Sequence, residues 1–302
     1  MSRGALWSWG RVLGSGATFA VLVWRLGTGP FLEGVRAVDG RALVAAVVLA
    51  VLTTVCCAWR WTIVARGLGV ELSLPAAVAA YYRSLFLNVT IPGGVVGDVH
   101  RAVSHGRDVR DVGRAVRAVA WERFAGQVVQ AVVTVVALLA LPSPVRASMP
   151  VVAIAVAVAL IGVALATRSR LRGWALPRRA WAGVALASAV VVGGHALTFV
   201  IAARTVGVTA PASRMLPLAL LVMVVMVLPS FGGWGPREGA AAWAFAAAGL
   251  GAQRGVATGV VYGVMVLAST LPGAAVLLVS WWRRTRPASR TEPTLREGHA
   301  RA

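Results

Sequence analysis

Asn88-Val-Thr-Ile-Pro92-Gly93-Gly94-Val-Val-Gly97-Asp98-Val-His-Arg101 interrupts an apolar stretch with a proline, a glycine cluster and an acid. Proline removes a backbone donor and clashes with the preceding turn. Glycine permits positive φ and close approach of another backbone or a ligand. Together they end one half-helix and free backbone amides at the start of the next. Leu228-Pro229-Ser-Phe-Gly232-Gly233-Trp-Gly235-Pro-Arg237-Glu238 repeats the pattern further along. In hydrocarbon, such breaks are tolerated only where protein or a water-filled cavity surrounds the freed polar groups.

The rest of the chain says that the medium is hydrocarbon. Of 302 residues, 58% are hydrophobic and 13% charged, and the mean hydropathy is +0.77, values that fit a polytopic membrane protein. Runs such as Ala42–Val64, Val116–Leu141 and Gly255–Trp282 are long enough to cross a core of roughly 30 Å. The candidate membrane segments are 12–26, 42–64, 76–97, 118–141, 149–167, 180–203, 215–230, 238–250 and 256–282. Trp59 and Trp61, Trp174 and Trp181, and Trp281 and Trp282 mark segment ends, as an interfacial aromatic belt does. Residues 1–282 are therefore expected to form a single transmembrane domain, followed by a disordered basic cytoplasmic tail over 283–302. Arg3 and Arg11 precede an apolar stretch as in a signal peptide. Arg25 follows directly and no small-x-small site appears, so a retained first helix is expected.

A formal net charge of +20 invites a nucleic-acid reading. All the basic residues are arginine, they sit in short connections between apolar segments, and no aromatic-basic platform accompanies them, so no nucleic-acid partner is expected. The same arginines set orientation. With both termini cytoplasmic and 76–97 entering and leaving on one side, the large majority fall inside, as the positive-inside rule requires. A spanning 76–97 would put the group at 101–117 or that at 168–179 on the wrong side. The expectation is therefore a re-entrant 76–97. Cys56 and Cys57 are adjacent, which disfavours a bond between them, and they show no metal spacing.

Segments 42–64, 76–97 and 118–141 recur as 180–203, 215–230 and 256–282, at an offset of about 138 residues. At that offset Ala65-Arg66-x-x-Gly69-Val70 matches Ala203-Arg204-x-x-Gly207-Val208. Pro92 and Gly94 fall close to Pro229 and Gly232, and Asp98 close to Glu238. The first member of each set runs in the opposite direction, so the repeats over 42–141 and 180–282 are inverted. Inverted repeats with discontinuous helices at their interface are a transporter architecture, with substrate near the breaks. The fold class expected is all-α, a polytopic transmembrane helix bundle with two re-entrant or broken-helix elements in an inverted repeat.

Asp98, Glu122 and Glu238 are the acids that abut apolar or broken-helix sequence, where ionisable groups are costly and mark function by default. Asp98–Arg101 reads as a capping pair that holds the break closed or as a ligand contact. Glu122–Arg123 reads as a structural pair at a helix entrance or as part of a site; adjacent helix residues do not face each other, so Glu122 is expected to pair elsewhere. Glu238 opens an apolar half-helix beside Arg237 and Gly235, as substrate contact or N-terminal cap. Asn88 bridges helices or touches substrate. Arg60 is expected as an interfacial anchor, His100 and His105 as solvated, and His195 as an interhelical hydrogen-bonder before a proton relay. No nucleophile–base pair, phosphate-binding loop or metal set is visible, so neither an enzyme nor a cofactor is expected.

These residues resemble the membrane region of the lysylphosphatidylglycerol synthases and related stand-alone membrane proteins. The resemblance rests, in order, on Arg60-Trp61, Asn88, Pro92-Gly93, Gly97-Asp98, Arg101, Glu122-Arg123, and then Pro229, Gly232, Gly233, Gly235 and Glu238. It covers most of 42–282. Val96 departs from the family pattern, standing where the first glycine of a Gly-Gly-Asp falls, while Gly93-Gly94 adds a pair upstream. The family's aminoacyl-transferring domain is not seen in the sequence, so the resemblance implies the lipid-translocating half of that system. The expectation is a lipid flippase or transporter of the cytoplasmic membrane. Half-helix amides with Arg101 and Arg237 would hold a phosphate, and Asp98 and Glu238 would meet a cationic or hydroxylated headgroup or carry a coupling proton. Its partners would be an anionic or aminoacylated phospholipid or a lipid-linked saccharide. Two alternatives stand beside it: a non-transporting membrane partner of an envelope-biosynthesis enzyme, and a transferase in which Asp98 and Glu238 come within carboxylate working range.

Overall fold

A computed structural model describes residues 16–91, 95–167, 178–226 and 234–285, and every regular element in it is helical. The elements are α1 (Gly16–Leu26), α2 (Gly29–Arg36), α3 (Gly40–Gly67), α4 (Leu74–Thr90), α5 (Val96–Asp108) and α6 (Val112–Ala140). A 3₁₀ turn at Arg146–Ser148 leads to α7 (Met149–Thr167), then α8 (Arg178–Thr205), α9 (Ala212–Val225), α10 (Pro236–Ala247) and α11 (Ala252–Thr285). Four of these helices are long and apolar enough to cross a membrane.

Local chemistry places the boundaries. The Asp39 carboxylate accepts from Ala42 N at 2.7 Å and caps α3, and Asp111 accepts from Arg114 N at 2.8 Å and caps α6. Pro30 and Pro236 sit in first turns, where a missing N–H is harmless. The outer faces carry Val48, Val136, Ile154, Leu186 and Trp281 in exposed positions. Apolar surface of that extent suits lipid rather than water.

Stretches 42–141 and 180–282 share local features. Gly69 and Gly207 both adopt positive φ, +71° and +79°, and end α3 and α8 in the same way. Val70 N donates to Ala65 O at 2.9 Å, and Val208 N to Ala203 O at 3.0 Å. The ends of α5 and α10 also match: Asp111 N donates to Gly106 O at 2.9 Å, and Leu250 N to Phe245 O at 2.8 Å. α3 packs on α4 and α6, and α8 packs on α9 and α11. α3 and α8 run antiparallel, with Thr53 against Gly194 and Trp59 and Ile63 against Gly183.

Glycines let the helices touch backbone to backbone. A Cβ at Gly97 would land on the Ser84 carbonyl, and one at Gly273 on the Tyr82 carbonyl. The main core lies among α8, α9, α10 and α11, around Phe199, Met215, Leu218, Phe245 and Met265.

Several expectations are corrected. The 76–97 segment is broken as expected, with α4 ending at Thr90 and α5 starting at Val96 and doubling back along α4, but its second arm runs on to Asp108 instead of ending at 97. α6 starts at Val112, before the apolar run, because Asp111 caps it there. Trp61 is fully buried rather than interfacial, although Trp59 remains 40% exposed. His105 is buried beside the Trp61 ring rather than solvated. Pro92, Gly93, Gly94, Pro229, Gly232, Gly233, Trp174 and the residues of the tail from 286 lie outside the described residues.

Candidate functional site

The charged residues of α3, α5 and α6 converge on one buried network. Glu122, with no exposed surface, accepts from Arg60 Nε at 2.8 Å and also from Arg60 Nη2. Its other oxygen accepts from Arg101 Nη2 at 3.2 Å. Glu122 thus pairs away from its neighbour Arg123, as the helical geometry requires. Arg60, expected at the interface, is instead buried and also donates to Ser188 Oγ at 2.9 Å, which ties in α8. Gly126 leaves room for this guanidinium, since a Cβ there would stand 2.7 Å from Arg60 Nη1. Arg101 lies over the rings of Trp61, at 4.4 Å, and Tyr81, at 3.9 Å. Its Nε and Nη1 have no hydrogen-bond partner, so the ring faces offset part of the charge's burial.

Asp98 closes the network at the break. Oδ1 accepts from Ser84 Oγ at 3.2 Å and Arg101 Nη2 at 3.0 Å; Oδ2 accepts from Asn88 Nδ2 at 3.1 Å and Arg123 Nη2 at 2.5 Å. Asn88 Oδ1 accepts from Gly97 N at 2.8 Å, so one side chain bridges the end of α4 to the start of α5. Gly97 is required because its Cα faces the Ser84 backbone.

The start of α10 builds a counterpart. Asp98 and Glu238 are each the third residue of their helix. Glu238 Oε2 accepts from Gly235 N at 2.7 Å, and Oε1 accepts from Arg237 Nε at 2.9 Å and Nη2 at 2.5 Å. The Arg237 side chain curls back on its neighbour, which the rule for adjacent residues did not anticipate. It lies over Trp234 at 4.5 Å, and Gly263 leaves the space that it fills. Gly235 holds φ +91°, a conformation that favours glycine.

A cavity of about 590 Å³ opens beside the first network, lined by α5, the N-terminal half of α6, and residues of α8, α9 and α11. Asp98 and Arg123 face it, and the Arg123 side chain is 41% exposed. Gln127 and Gln130 continue from Arg123 along α6, and Gln130 Nε2 donates to Met223 O at 3.2 Å. His195 and Tyr262 form the far wall, with His195 Nδ1 and Tyr262 Oη 3.2 Å apart. Behind His195 lies a second, small chamber of about 80 Å³, lined by Thr53, Cys57, Thr198 and Ser269. Arg60 against Gly126 and Gly69 against Arg114 run α3 and α6 antiparallel. The N-terminal half of α6 and that of α3 therefore lie toward opposite ends of the bundle.

Of the residues singled out in the sequence, Asn88, Gly97, Asp98, Arg101, Glu122 and Arg123 come together in the first network. Gly235, Arg237 and Glu238 gather in the second. Asp98 and Arg123 line the large cavity; Arg101, Glu122, Arg237 and Glu238 do not. Sequence reasoning missed Tyr81, Ser84, Gln127, Gln130 and Tyr262. For two of them a signal existed: Arg123, Gln127 and Gln130 form a polar stripe of helical period within an apolar run.

Apolar helices of membrane-crossing length around a chamber of ligand size define an integral membrane protein with a cavity within its helix bundle. The chain belongs to the lysylphosphatidylglycerol synthase transmembrane-region family, whose profile matches residues 9–273. That membership associates it with membrane lipids. No curated protein matches the chain.

Proposed function

We propose that this protein moves a phospholipid or lipid-linked headgroup across the cytoplasmic membrane, with both termini cytoplasmic and no catalytic step of its own. The observation that carries the reading is the cavity of about 590 Å³, which borders the broken α4–α5 pair and is faced by Arg123 from the wall of an apolar bundle. A cavity beside broken helices at a repeat interface is where transporters bind their cargo. In this reading α4–α5 and α9–α10 are re-entrant elements of an inverted repeat, α3–α6 and α8–α11. The headgroup enters the cavity while its acyl chains stay in the bilayer. Rocking of the repeats then closes the large cavity and enlarges the small chamber behind His195. The buried pairs Arg60–Glu122 and Arg237–Glu238 serve as fixed points of the two repeats. The transferase alternative is not favoured, since Asp98 faces the cavity and Glu238 does not line it.

The test is reconstitution of the protein in vesicles with a fluorescent lipid and a membrane-impermeant quencher. Wild type is expected to expose inner-leaflet lipid faster than protein-free vesicles, and Arg123→Ala to fall toward that background. Equal rates for wild type, Arg123→Ala and empty vesicles would refute the reading.

A further inference from the structure

We propose that the cavity selects a lipid whose headgroup is anionic and hydroxylated, and that it discriminates against one bearing an ammonium; this rests on the lipid-translocation reading. The argument is one of charge and of hydrogen-bond capacity. The network around the cavity joins Arg60, Arg101 and Arg123 to Asp98 and Glu122, three cations to two carboxylates. It therefore holds one positive charge in excess, and Arg123 is the cation of the network that reaches the cavity. An uncompensated charge in an apolar bundle is unfavourable, and a bound anion removes that penalty.

A cationic headgroup finds no equivalent. A carboxylate offers about four lone-pair sites. Asp98 fills its sites with Ser84, Arg101, Asn88 and Arg123. It is the single acid among the described residues that line the cavity. Glu122 has no exposed surface and is held by Arg60 and Arg101. Glu238 is buried against Arg237 and the Gly235 amide, outside the cavity lining. An entering ammonium would thus meet the Arg123 guanidinium and no carboxylate with free capacity. Asp98 positions Arg123 rather than receiving a cation.

The rest of the polar lining suits hydroxyls. Gln127 is exposed to the cavity, and Gln130 keeps its amide oxygen after donating to Met223 O. Amide side chains both donate and accept, which matches hydroxyl groups next to a phosphate. Arg123, Gln127 and Gln130 lie along one face of α6, so a phosphate at Arg123 places its polyol substituent along the glutamines.

The experiment uses the full protein in neutral vesicles with three lipids carrying the same acyl-chain fluorophore: phosphatidylglycerol, phosphatidylcholine and lysyl-phosphatidylglycerol. Phosphatidylglycerol is expected to move about tenfold faster than the other two. Arg123→Gln is expected to remove most of that advantage, bringing phosphatidylglycerol down to the rate of phosphatidylcholine measured with the same variant. If the lysyl lipid moves as fast as phosphatidylglycerol, the charge inference fails and the translocation reading stands. If none of the three moves faster than in empty vesicles, the translocation reading fails and the inference with it. Millimolar glycerol phosphate is expected to leave the rates unchanged; strong inhibition would assign the anion site to a free phosphate and overturn the lipid claim.

Discussion

Arg123 Nη2 lies 2.5 Å from Asp98 Oδ2, and this contact is where a sealed charge network meets an open cavity. Its two partners differ in what surrounds them. Asp98 is 14% exposed at its side chain and carries four donors, whereas Arg123 is 41% exposed and has a buried Nε without a partner. The consequences of substitution should therefore diverge across one ion pair.

Arg123→Gln is expected to slow lipid movement at least about tenfold and to cost less than about 1 kcal/mol in stability, as partly exposed pairs do. Vesicle transport and thermal unfolding in detergent, run on the same preparation, check both numbers. A large stability loss with normal transport would contradict the assignment.

Glu122→Gln removes the counter-charge of Arg60 and Arg101 at once. Breaking a buried pair in this way costs about 3–5 kcal/mol. A marked fall in Tm and in yield from membranes is expected, against a milder effect for Glu122→Asp. Unchanged Tm for Glu122→Gln would show that the network is not structural.

Gly97→Ala drives a methyl group into the Ser84 carbonyl and is expected to destabilise by about 1–3 kcal/mol, as overpacking does. Gly193→Ala is the control, because nothing lies within 4 Å of its Cβ position. There the change should be neutral or stabilising by up to about 1 kcal/mol. Equal behaviour of the two would mean that α4 and α5 are not packed backbone to backbone.

His195 separates the large cavity from the small chamber, and Cys57 lines that chamber. In a Cys56→Ala background, His195→Ala is expected to raise labelling of Cys57 by a thiol reagent several-fold. Labelling that stays constant would place the partition elsewhere.

The architecture was legible because hydrocarbon imposes it. Apolar length gave the spanning helices, and Ala65-Arg66-x-x-Gly69-Val70 with its mate announced two like helix ends, since both motifs encode the same termination at a positive-φ glycine. The acids were legible for a similar reason: an ionisable residue in apolar sequence needs a partner. Who partners whom was not. Arg60 looked interfacial because Trp59 and Trp61 flank it, yet the helix turns one tryptophan outward and buries the other together with the arginine. Arg237 pairs with its own neighbour because Gly263, distant in sequence, leaves room for the curl. The cavity is made by five helices, and only the α6 stripe of Arg123, Gln127 and Gln130 announced its share locally.

The central claim is that a lipid headgroup occupies the cavity, and a lipid carrying a photoreactive group on its headgroup tests it most directly. After illumination in vesicles, mass spectrometry should find adducts on peptides containing Arg123, Gln127 and Met223, and Arg123→Gln should reduce them. Adducts confined to the connections between helices, with none on the cavity lining, would contradict the account.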